Sequence, residues 1–454
     1  MGNANCDRTV LEARERPGGR NWTIHRTTDS MQLTAITPGR GKTMKTLPYA
    51  KSLVLLLLFK LCALDAMACT TAMVSRTATN DGTPLLWKNR DTGDQSNKVI
   101  YVNAMPYTYL AIVNHDDSSE RLAWGGVNSA GFAIEDSDAY NLDLVAKAER
   151  PNSENQVATF MADALRTCAT VDDFEALVKK SMGPTFNGTS NYGVIDAHGG
   201  VASFEVSLKN YKRYDAKDTD AKYVLKTNFS WIGPDATGHG YTRFDRETTL
   251  FNKANGNISN KFVLEGPARD LGSNLLHNPS PADWKTFPAD TPYWVQADFT
   301  IDRDTTASTI LIRGVHAGED PLHSTLWIIL GEPLCSIAVP LWVAAGQTPA
   351  EVREGADAPI AREALRLKHI LRPLKGVDNF EFVDVTKLDN ASGTGWLPGN
   401  LKVEQEILDA TQKFLAGNPS PAEMAVFEKK MAAIALARLQ EVHSPAGGPM
   451  ATGR

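Results

Sequence analysis

A cysteine at position 69 follows a stretch that has the pattern of a cleaved leader. Residues 44–68 begin with a positively charged segment, continue through a short apolar run and end in Ala66-Met67-Ala68. This order, with small residues at the last and third-last positions, is typical of a secretory signal peptide. Cleavage after Ala68 would make Cys69 the first residue of the mature chain.

A cysteine in this position has three interpretations. As an N-terminal nucleophile, Cys69 would use its own free α-amine, with a pKa of about 7.7, as the general base for its thiol. As a lipoprotein, the chain would be lipidated at Cys69, although the usual lipidation signal has Leu where this chain has Ala66. In the third interpretation, Cys69 is an ordinary buried strand cysteine and cleavage falls elsewhere.

The remaining organisation follows from composition along the chain. Residues 1–43 are polar, rich in Arg and Gly and without apolar periodicity, so we interpret them as a non-native or disordered extension ahead of the signal peptide at 44–68. Residues 69–443 form the candidate domain, and 444–454 a flexible tail. The apolar run is shorter than the ~20 residues of a spanning helix, which predicts no stable membrane span. We expect a periplasmic or secreted protein.

Composition also excludes some classes of partner. The formal net charge of −6 argues against nucleic acid, because phosphate binding needs a basic surface. Metal-ligand clusters of the CxxC or HExxH kind are not found in the sequence, so we expect no metal and no cofactor. Beyond the leader only Cys69, Cys168 and Cys335 remain. An odd number indicates one free thiol, and Cys168 and Cys335, within apolar patterns, are expected to be bonded or simply buried. A homo-oligomer is left open.

The local pattern predicts what lies beside Cys69. Apolar and polar residues alternate after it and break at residues 80–82, which predicts two strands joined by a turn. This hairpin would return Lys88 and Asp91 to the neighbourhood of the thiol. Arg90 is expected to point to the opposite face of the strand.

The order of the other elements favours an α+β fold with antiparallel sheets covered by helices over a regular β-α-β alternation. The span 252–295 is polar and rich in loops. Helices are predicted at residues 156–168, 171–180, 400–416 and 421–442. Strands are predicted at 98–102, 110–114, 123–126, 131–134, 191–207 (a hairpin), 222–230, 308–315, 324–330 and 335–343.

Five motifs occur in an order that resembles a known family. They are CTTAMVS, WGGVNSAGFAI, NYGVIDAHGGVASFE, LKTNFS and GYTRFDR. Together they resemble the N-terminal nucleophile (Ntn) hydrolases that include choloylglycine hydrolases, penicillin V acylases and acyl-CoA:6-aminopenicillanic acid acyltransferases. The likeness covers residues 69–246 well and 308–343 loosely. It implies a four-layer αββα sandwich with two mainly antiparallel sheets, acting on a linear amide C–N bond.

The resemblance also implies a role for each of five residues. Cys69 would be the nucleophile, and Asp91 the acid that orients its α-amine. Asn228, in LKTNFS, would donate its side-chain amide to the oxyanion hole. Arg243, in GYTRFDR, would support the surroundings of the nucleophile. Lys88 holds the place of the arginine in the family's Arg-Asn-x-Asp motif and would lower the thiol pKa, although it lacks a planar bidentate fork.

The sequence thus predicts an exported cysteine amidohydrolase or acyltransferase acting on a small N-acyl amide or a short peptide. Two alternatives remain: an Ntn dipeptidase, which residues 69–83 also resemble, and a non-catalytic lipoprotein lipidated at Cys69. The asparagine that bile-salt hydrolases place after their Gly-x-x-Ile strand is not evident near Ser137 and Asp138. Bile salts are therefore not predicted as the substrate.

Overall fold

The structure is a computed structural model whose contacts divide the chain into two units, Met1–Leu64 and Asp65–Arg454. In the first unit it describes the paired strands β1 (His25–Thr27) and β2 (Ser30–Gln32). The predicted signal peptide, the predicted tail and most of the predicted extension lie outside the described residues. In the second unit the described residues are 69–442 apart from 118, 143–152, 184, 185, 187, 255, 356 and 375–380.

The elements of the second unit are as follows. The strands are β3 (Thr70–Val74), β4 (Leu85–Asp91), β5 (Asn97–Val102), β6 (Tyr109–Asn114), β7 (Gly125–Asn128), β8 (Ala133–Ser137), β9 (Ser190–Ile195), β10 (Val201–Val206), β11 (Tyr211–Asp215), β12 (Tyr223–Lys226), β13 (Trp294–Gln296), β14 (Thr306–Arg313), β15 (Thr325–Leu330), β16 (Val339–Leu341) and β17 (Phe382–Asp384). The helices are α1 (Ser153–Thr167), α2 (Val171–Ser181), α3 (Tyr241–Ala254), α4 (Asn260–Glu265), α5 (Pro281–Trp284), α6 (Ala350–Arg353), α7 (Pro359–Leu371), α8 (Leu397–Ala416) and α9 (Pro421–Glu441).

Two antiparallel sheets form the centre of this unit. The seven-stranded sheet has the order β11-β10-β9-β8-β7-β6-β5, and the six-stranded sheet has the order β12-β3-β4-β14-β15-β16. The sheets face each other, with β3 and β4 packed against β8 and β9. Helices α1 and α2 contact the seven-stranded sheet, whereas α3, α4, α7, α8 and α9 contact the six-stranded sheet. The predicted αββα sandwich with two mainly antiparallel sheets is confirmed.

The strands that flank Cys69 lie in the interior. Every residue of β3 and β4 is buried, because the second sheet covers one face and helices cover the other. Polar side chains on these strands must therefore find partners inside the protein. Cys168 and Cys335 are buried and free, as is Cys69, which agrees with the expectation that the first two are simply buried. Among the described residues, no helix is both long and apolar enough to cross a bilayer.

Most predicted elements are confirmed, with shifted ends. The hairpin is β3 and β4, with Thr70 opposite Asn89. The last two predicted helices are α8 and α9, and Ser420 and Glu423 form a capping box at the start of α9. The strand predicted at 335–343 is wrong in extent, because 3-10 turns before and after β16 leave only three residues in the strand.

Helix α3 was not predicted, although it carries one of the five candidate residues. Its buried positions are Arg243, Glu247 and Phe251, four residues apart. This is helical spacing, but two of the three side chains are charged, so a search for apolar periodicity passes over it. The turn into α3 needs Gly240, which has a φ of +79°. The polar span 252–295 likewise contains the short helices α4 and α5.

Candidate active site

Cys69 lies directly ahead of β3, a strand flanked by β12 and β4 in the six-stranded sheet. Only 7% of its surface is exposed. Burial raises the pKa of the Cys69 thiol to about 11; Lys88 opposes this effect, while Asp136 and Asp91 add to it. The thiol is therefore neutral near pH 7, and it needs a base to remove its proton before it can act as a nucleophile.

Arg243 joins the backbone at Cys69 to the side chain of Asn228. Its Nη1 donates to the carbonyl oxygen of Cys69 at 2.7 Å and to Oγ1 of Thr70 at 2.8 Å. Its Nη2 donates to Oδ1 of Asn228 at 2.7 Å. Both Arg243 and Asn228 are buried. One guanidinium group from α3 thus fixes the start of β3 and the amide of Asn228 together.

Asn228 follows the end of β12, and both ends of its side-chain amide are oriented. Because Oδ1 accepts from Arg243, the Nδ2 group points to the other side. There Nδ2 donates to the carbonyl oxygen of Asp138 at 3.0 Å. The backbone oxygen of Asn228 accepts from the N–H groups of Tyr140 and His239 at 3.2 and 3.1 Å. The residue therefore presents amide donors in a fixed direction.

Asp91 ends β4 and carries an incompletely bonded carboxyl group. Oδ1 accepts from Oγ1 of Thr306 at 2.7 Å, whereas Oδ2 is buried without a hydrogen-bond partner in the described part of the chain. Burial raises the pKa of Asp91 to about 6, against the opposing charges of Arg303 and Arg243. A hydrogen bond from the Asp91 backbone N–H lowers the pKa of the Cys69 thiol. Asp91 thus lies beside the thiol.

We expect Asp91→Asn to stabilise the unprocessed chain at neutral pH. The pKa of Asp91 is raised in the folded chain from 3.8 to about 6, so ionisation opposes folding as the pH rises through this window. A shift of this size corresponds to ~3 kcal/mol above pH 6. Calorimetry should show a higher melting temperature for the variant at pH 7, and the difference should shrink towards pH 4. Equal melting temperatures at pH 7 would contradict an uncompensated buried carboxylate.

Lys88 extends from the six-stranded sheet to the seven-stranded sheet. Its Nζ donates to Oδ1 of Asp136 at 2.7 Å and to the carbonyl oxygen of Trp124 at 3.0 Å. Burial would lower the pKa of Lys88, but Asp136 and the Cys69 thiol raise it above its usual range. Lys88 is therefore a cation close to the thiol, as predicted, but part of its effect is cancelled by Asp136.

The influence of Lys88 can be measured through the reactivity of Cys69. We expect Lys88→Met to move the pH profile of iodoacetamide alkylation at Cys69 upwards by about one unit or more, because an adjacent cation has been removed. Lys98→Met is the matched control, since Lys98 donates to the backbone of His115 instead. Peptide mass mapping identifies the alkylated cysteine. An unchanged profile would mean that Lys88 does not act on the thiol.

The expectation that Arg90 points away from the face of Lys88 is wrong. Residues two apart in a strand share a face, and both side chains contact Trp124: the guanidinium carbon of Arg90 lies 4.7 Å from the ring centre. Its Nη1 and Nη2 donate to the side-chain oxygens of Asn97 and Asn114 at 2.9 and 2.7 Å. These bonds direct the charge of Arg90 towards β5 and β6.

Two residues of the site were not predicted. Asp136 pairs with Lys88, and Thr306 donates to Asp91. Asp136 does leave a signal, because the stretch AIEDS places two acidic residues in a strand-like run, and acidic residues are rarely buried unless paired. Thr306 leaves none, because threonine is common in strands.

A separate group of possible metal ligands lies outside this site. Asp94, His115 and Asp116 each offer one ligand atom, and these atoms lie within 4.8 Å of one another. Nδ1 of His115 already bonds to Oδ1 of Asp94 at 2.9 Å, and all three residues are partly or fully exposed. This geometry alone does not assign a metal.

The chain is similar to several solved structures, whereas no family model and no curated protein sequence matches it. One is an N-acylethanolamine-hydrolyzing acid amidase ortholog from Caenorhabditis elegans, with 14% identity and a TM-score of 0.35 over 54% of this chain and 92% of that one. A second is a variant of the conjugated bile acid hydrolase from Clostridium perfringens, with 12% identity and a TM-score of 0.34 over 58% of this chain and 89% of that one. A third is the penicillin V acylase from Agrobacterium tumefaciens, with 13% identity and a TM-score of 0.31 over 60% of this chain and 85% of that one.

By their names, the three proteins are an amidase, a hydrolase and an acylase. Their identities do not exceed 14% and their TM-scores do not exceed 0.35. At such values the likeness carries no argument about substrate or residue roles. These must be inferred from the geometry around Cys69.

Proposed function

We propose that the chain is an exported cysteine amidohydrolase or acyltransferase of the Ntn type, which acts on a small N-acyl amide or a short peptide. The observation that carries this proposal is the buried set of Cys69, Asp91, Asn228 and Arg243 at the start of β3. Amide cleavage needs a nucleophile, a proton carrier and donors to the oxyanion. The proposal assigns the nucleophile and the proton carrier to Cys69 and the oxyanion donor to Asn228, while Asp91 and Arg243 hold these groups in place.

The proton carrier would be the α-amine of Cys69. Cleavage of the leader at 44–68, in the periplasm or during secretion, would expose this amine. Oδ2 of Asp91, which is buried and has no donor among the described residues, would accept its hydrogen bond. Once the amine carries the thiol proton, the same interaction would lower the raised pKa of Asp91, because a cation favours the carboxylate. The unused acceptor Oδ2 of Asp91 therefore supports a position for the α-amine beside this carboxyl group.

The remaining residues would serve the acyl transfer. The thiol of Cys69 would attack the amide carbonyl while the α-amine takes its proton and returns it to the leaving amine. Water or a second amine would then resolve the thioester. Nδ2 of Asn228 would donate to the oxyanion, and Arg243 would hold the side chain of Asn228 at a fixed position relative to Cys69. The positive charge of Lys88 would favour the thiolate form of Cys69.

Two versions of the chain test this proposal. One begins with Cys69, and the other carries a single alanine ahead of it, which converts the amine into an amide. Both are assayed with N-acyl amino acids, penicillin V, bile-salt conjugates and dipeptides. We expect turnover only by the version that begins with Cys69. Equal turnover by both versions would refute the role of the α-amine as base. If the version that begins with Cys69 turned over none of the four substrate classes, the proposal of an amidohydrolase would be refuted.

A further inference from the structure

The chain on either side of Asn228 is held by one buried carboxylate. Glu205, on β10, is fully buried and forms an ion pair with Lys226, two residues before Asn228. Its Oε1 accepts from the backbone N–H of Trp231 at 2.7 Å, and its Oε2 accepts from that of Ile232 at 2.9 Å. Glu205 thus binds the chain both before and after the amide. We call residues 227–234 the amide segment.

Two asparagines bind the middle of the amide segment, Asn191 from the same sheet and Asn141 from the turn that follows β8. Asn191 lies directly opposite Glu205 in the sheet, and its Nδ2 donates to the carbonyl oxygens of Thr227 and Phe229 at 3.2 and 3.1 Å. Oδ1 of Asn141 accepts from the N–H of Ser230 at 2.7 Å. The path of the segment is therefore set by side chains of the seven-stranded sheet and of the turn that follows β8.

The ion pair beneath the segment is shielded from water. The ring of Trp231 covers Nζ of Lys226 at 3.2 Å, and the ring of Tyr214 lies at 5.3 Å. The Tyr214 hydroxyl also donates to Oε2 of Glu205 at 3.2 Å. Hydrogen bonds to an ionised acceptor are stronger than those to a neutral one. Glu205 therefore gives the amide segment, which is buried up to Ser230 and reaches solvent at Trp231, a firm anchor.

We propose that Glu205 is a positioning residue for the Asn228 amide, and that Asn141 acts on the same segment. The inference rests on the proposed function, because it takes Asn228 as a donor to the oxyanion. Such a donor must be held within about 0.5 Å of its productive position. None of the hydrogen bonds of Glu205 among the described residues reaches Cys69, so its effect must pass through the segment.

A double-mutant cycle tests this inference. We expect Glu205→Gln to lower kcat about tenfold with little change in KM, and to have no further effect when Asn228 is already alanine. Glu404→Gln is the matched control, because Glu404 is another buried carboxylate, paired with Arg269 away from the segment; it should leave kcat unchanged. Equal losses from Glu205→Gln in both backgrounds would overturn the inference.

Hydrogen exchange separates failure of this inference from failure of the proposed function. In Glu205→Gln, the amide hydrogens of Trp231 and Ile232 should exchange at least about tenfold faster than in the wild type, whether or not a substrate is turned over. Unchanged exchange would overturn the positioning role. Faster exchange in a protein with no activity would refute the proposed function alone. If Glu205→Gln does not fold, Asn141→Ala tests the same segment from a turn outside both sheets, because the amide hydrogen of Ser230 should then exchange faster and kcat should fall.

Discussion

Replacing Cys69 with alanine is expected to abolish turnover and to leave the fold intact. The thiol is the only group in the proposed mechanism that forms a bond to the substrate, so its loss should lower kcat by on the order of 10⁴-fold or more. The sulfur atom is a small part of a core that the two sheets and the helix layers provide. Steady-state kinetics on the best substrate of the panel, together with the melting temperature, measure both effects.

Two other cysteines among the described residues provide the matched controls. Cys168 and Cys335 are buried and free, like Cys69, but Cys168 follows α1 and Cys335 lies in the 3-10 turn before β16. Alanine at either position should leave a small cavity, lower the melting temperature and preserve kcat. Activity that survives Cys69→Ala, or an equal loss of activity in a control, would contradict the assignment of Cys69 as the nucleophile.

The second large effect is expected at Asn228. Loss of one oxyanion donor typically lowers kcat by about 10²- to 10³-fold. Asn228→Asp is the sharper variant, because it keeps an oxygen to accept from Arg243 but replaces the donor with a carboxylate oxygen, whose charge would repel the oxyanion. We therefore expect Asn228→Asp to lose at least as much activity as Asn228→Ala, with KM nearly unchanged in Asn228→Ala.

Asn390→Ala is the control for the loss of a buried amide. Asn390 is buried and donates to the carbonyl oxygen of Thr386 at 2.8 Å, within its own loop. The variant should lose stability but not kcat. If the Asn228 variants raised KM and left kcat within a few-fold of the wild type, Asn228 would contact the substrate in the ground state and not the oxyanion.

The contacts made within the first hairpin could be predicted from the sequence. The turn at residues 80–82 brings Lys88 and Asp91 back to Cys69, and this follows from local alternation alone. The face of Arg90 also follows from alternation, which places its side chain with that of Lys88 and not on the opposite face. Its bonds to Asn97 and Asn114 then direct its charge towards β5 and β6.

The contacts made over long separations could not be predicted from patterns. Arg243 reaches Cys69 across 174 positions of sequence, and only the motif resemblance indicated that the two belong to one site. The sequence does not indicate the partners of Glu205, because a glutamate in a strand does not reveal which backbone it will bind. Its partners Trp231 and Ile232 are set by a loop whose path depends on both sheets.

The most direct test is intact mass and N-terminal sequencing of the mature protein purified from its native compartment. The proposed mechanism predicts a chain that begins Cys-Thr-Thr-Ala, with Cys69 first and its amine unmodified. A lipid adduct on Cys69, or a start at another residue, would remove the general base and contradict the mechanism.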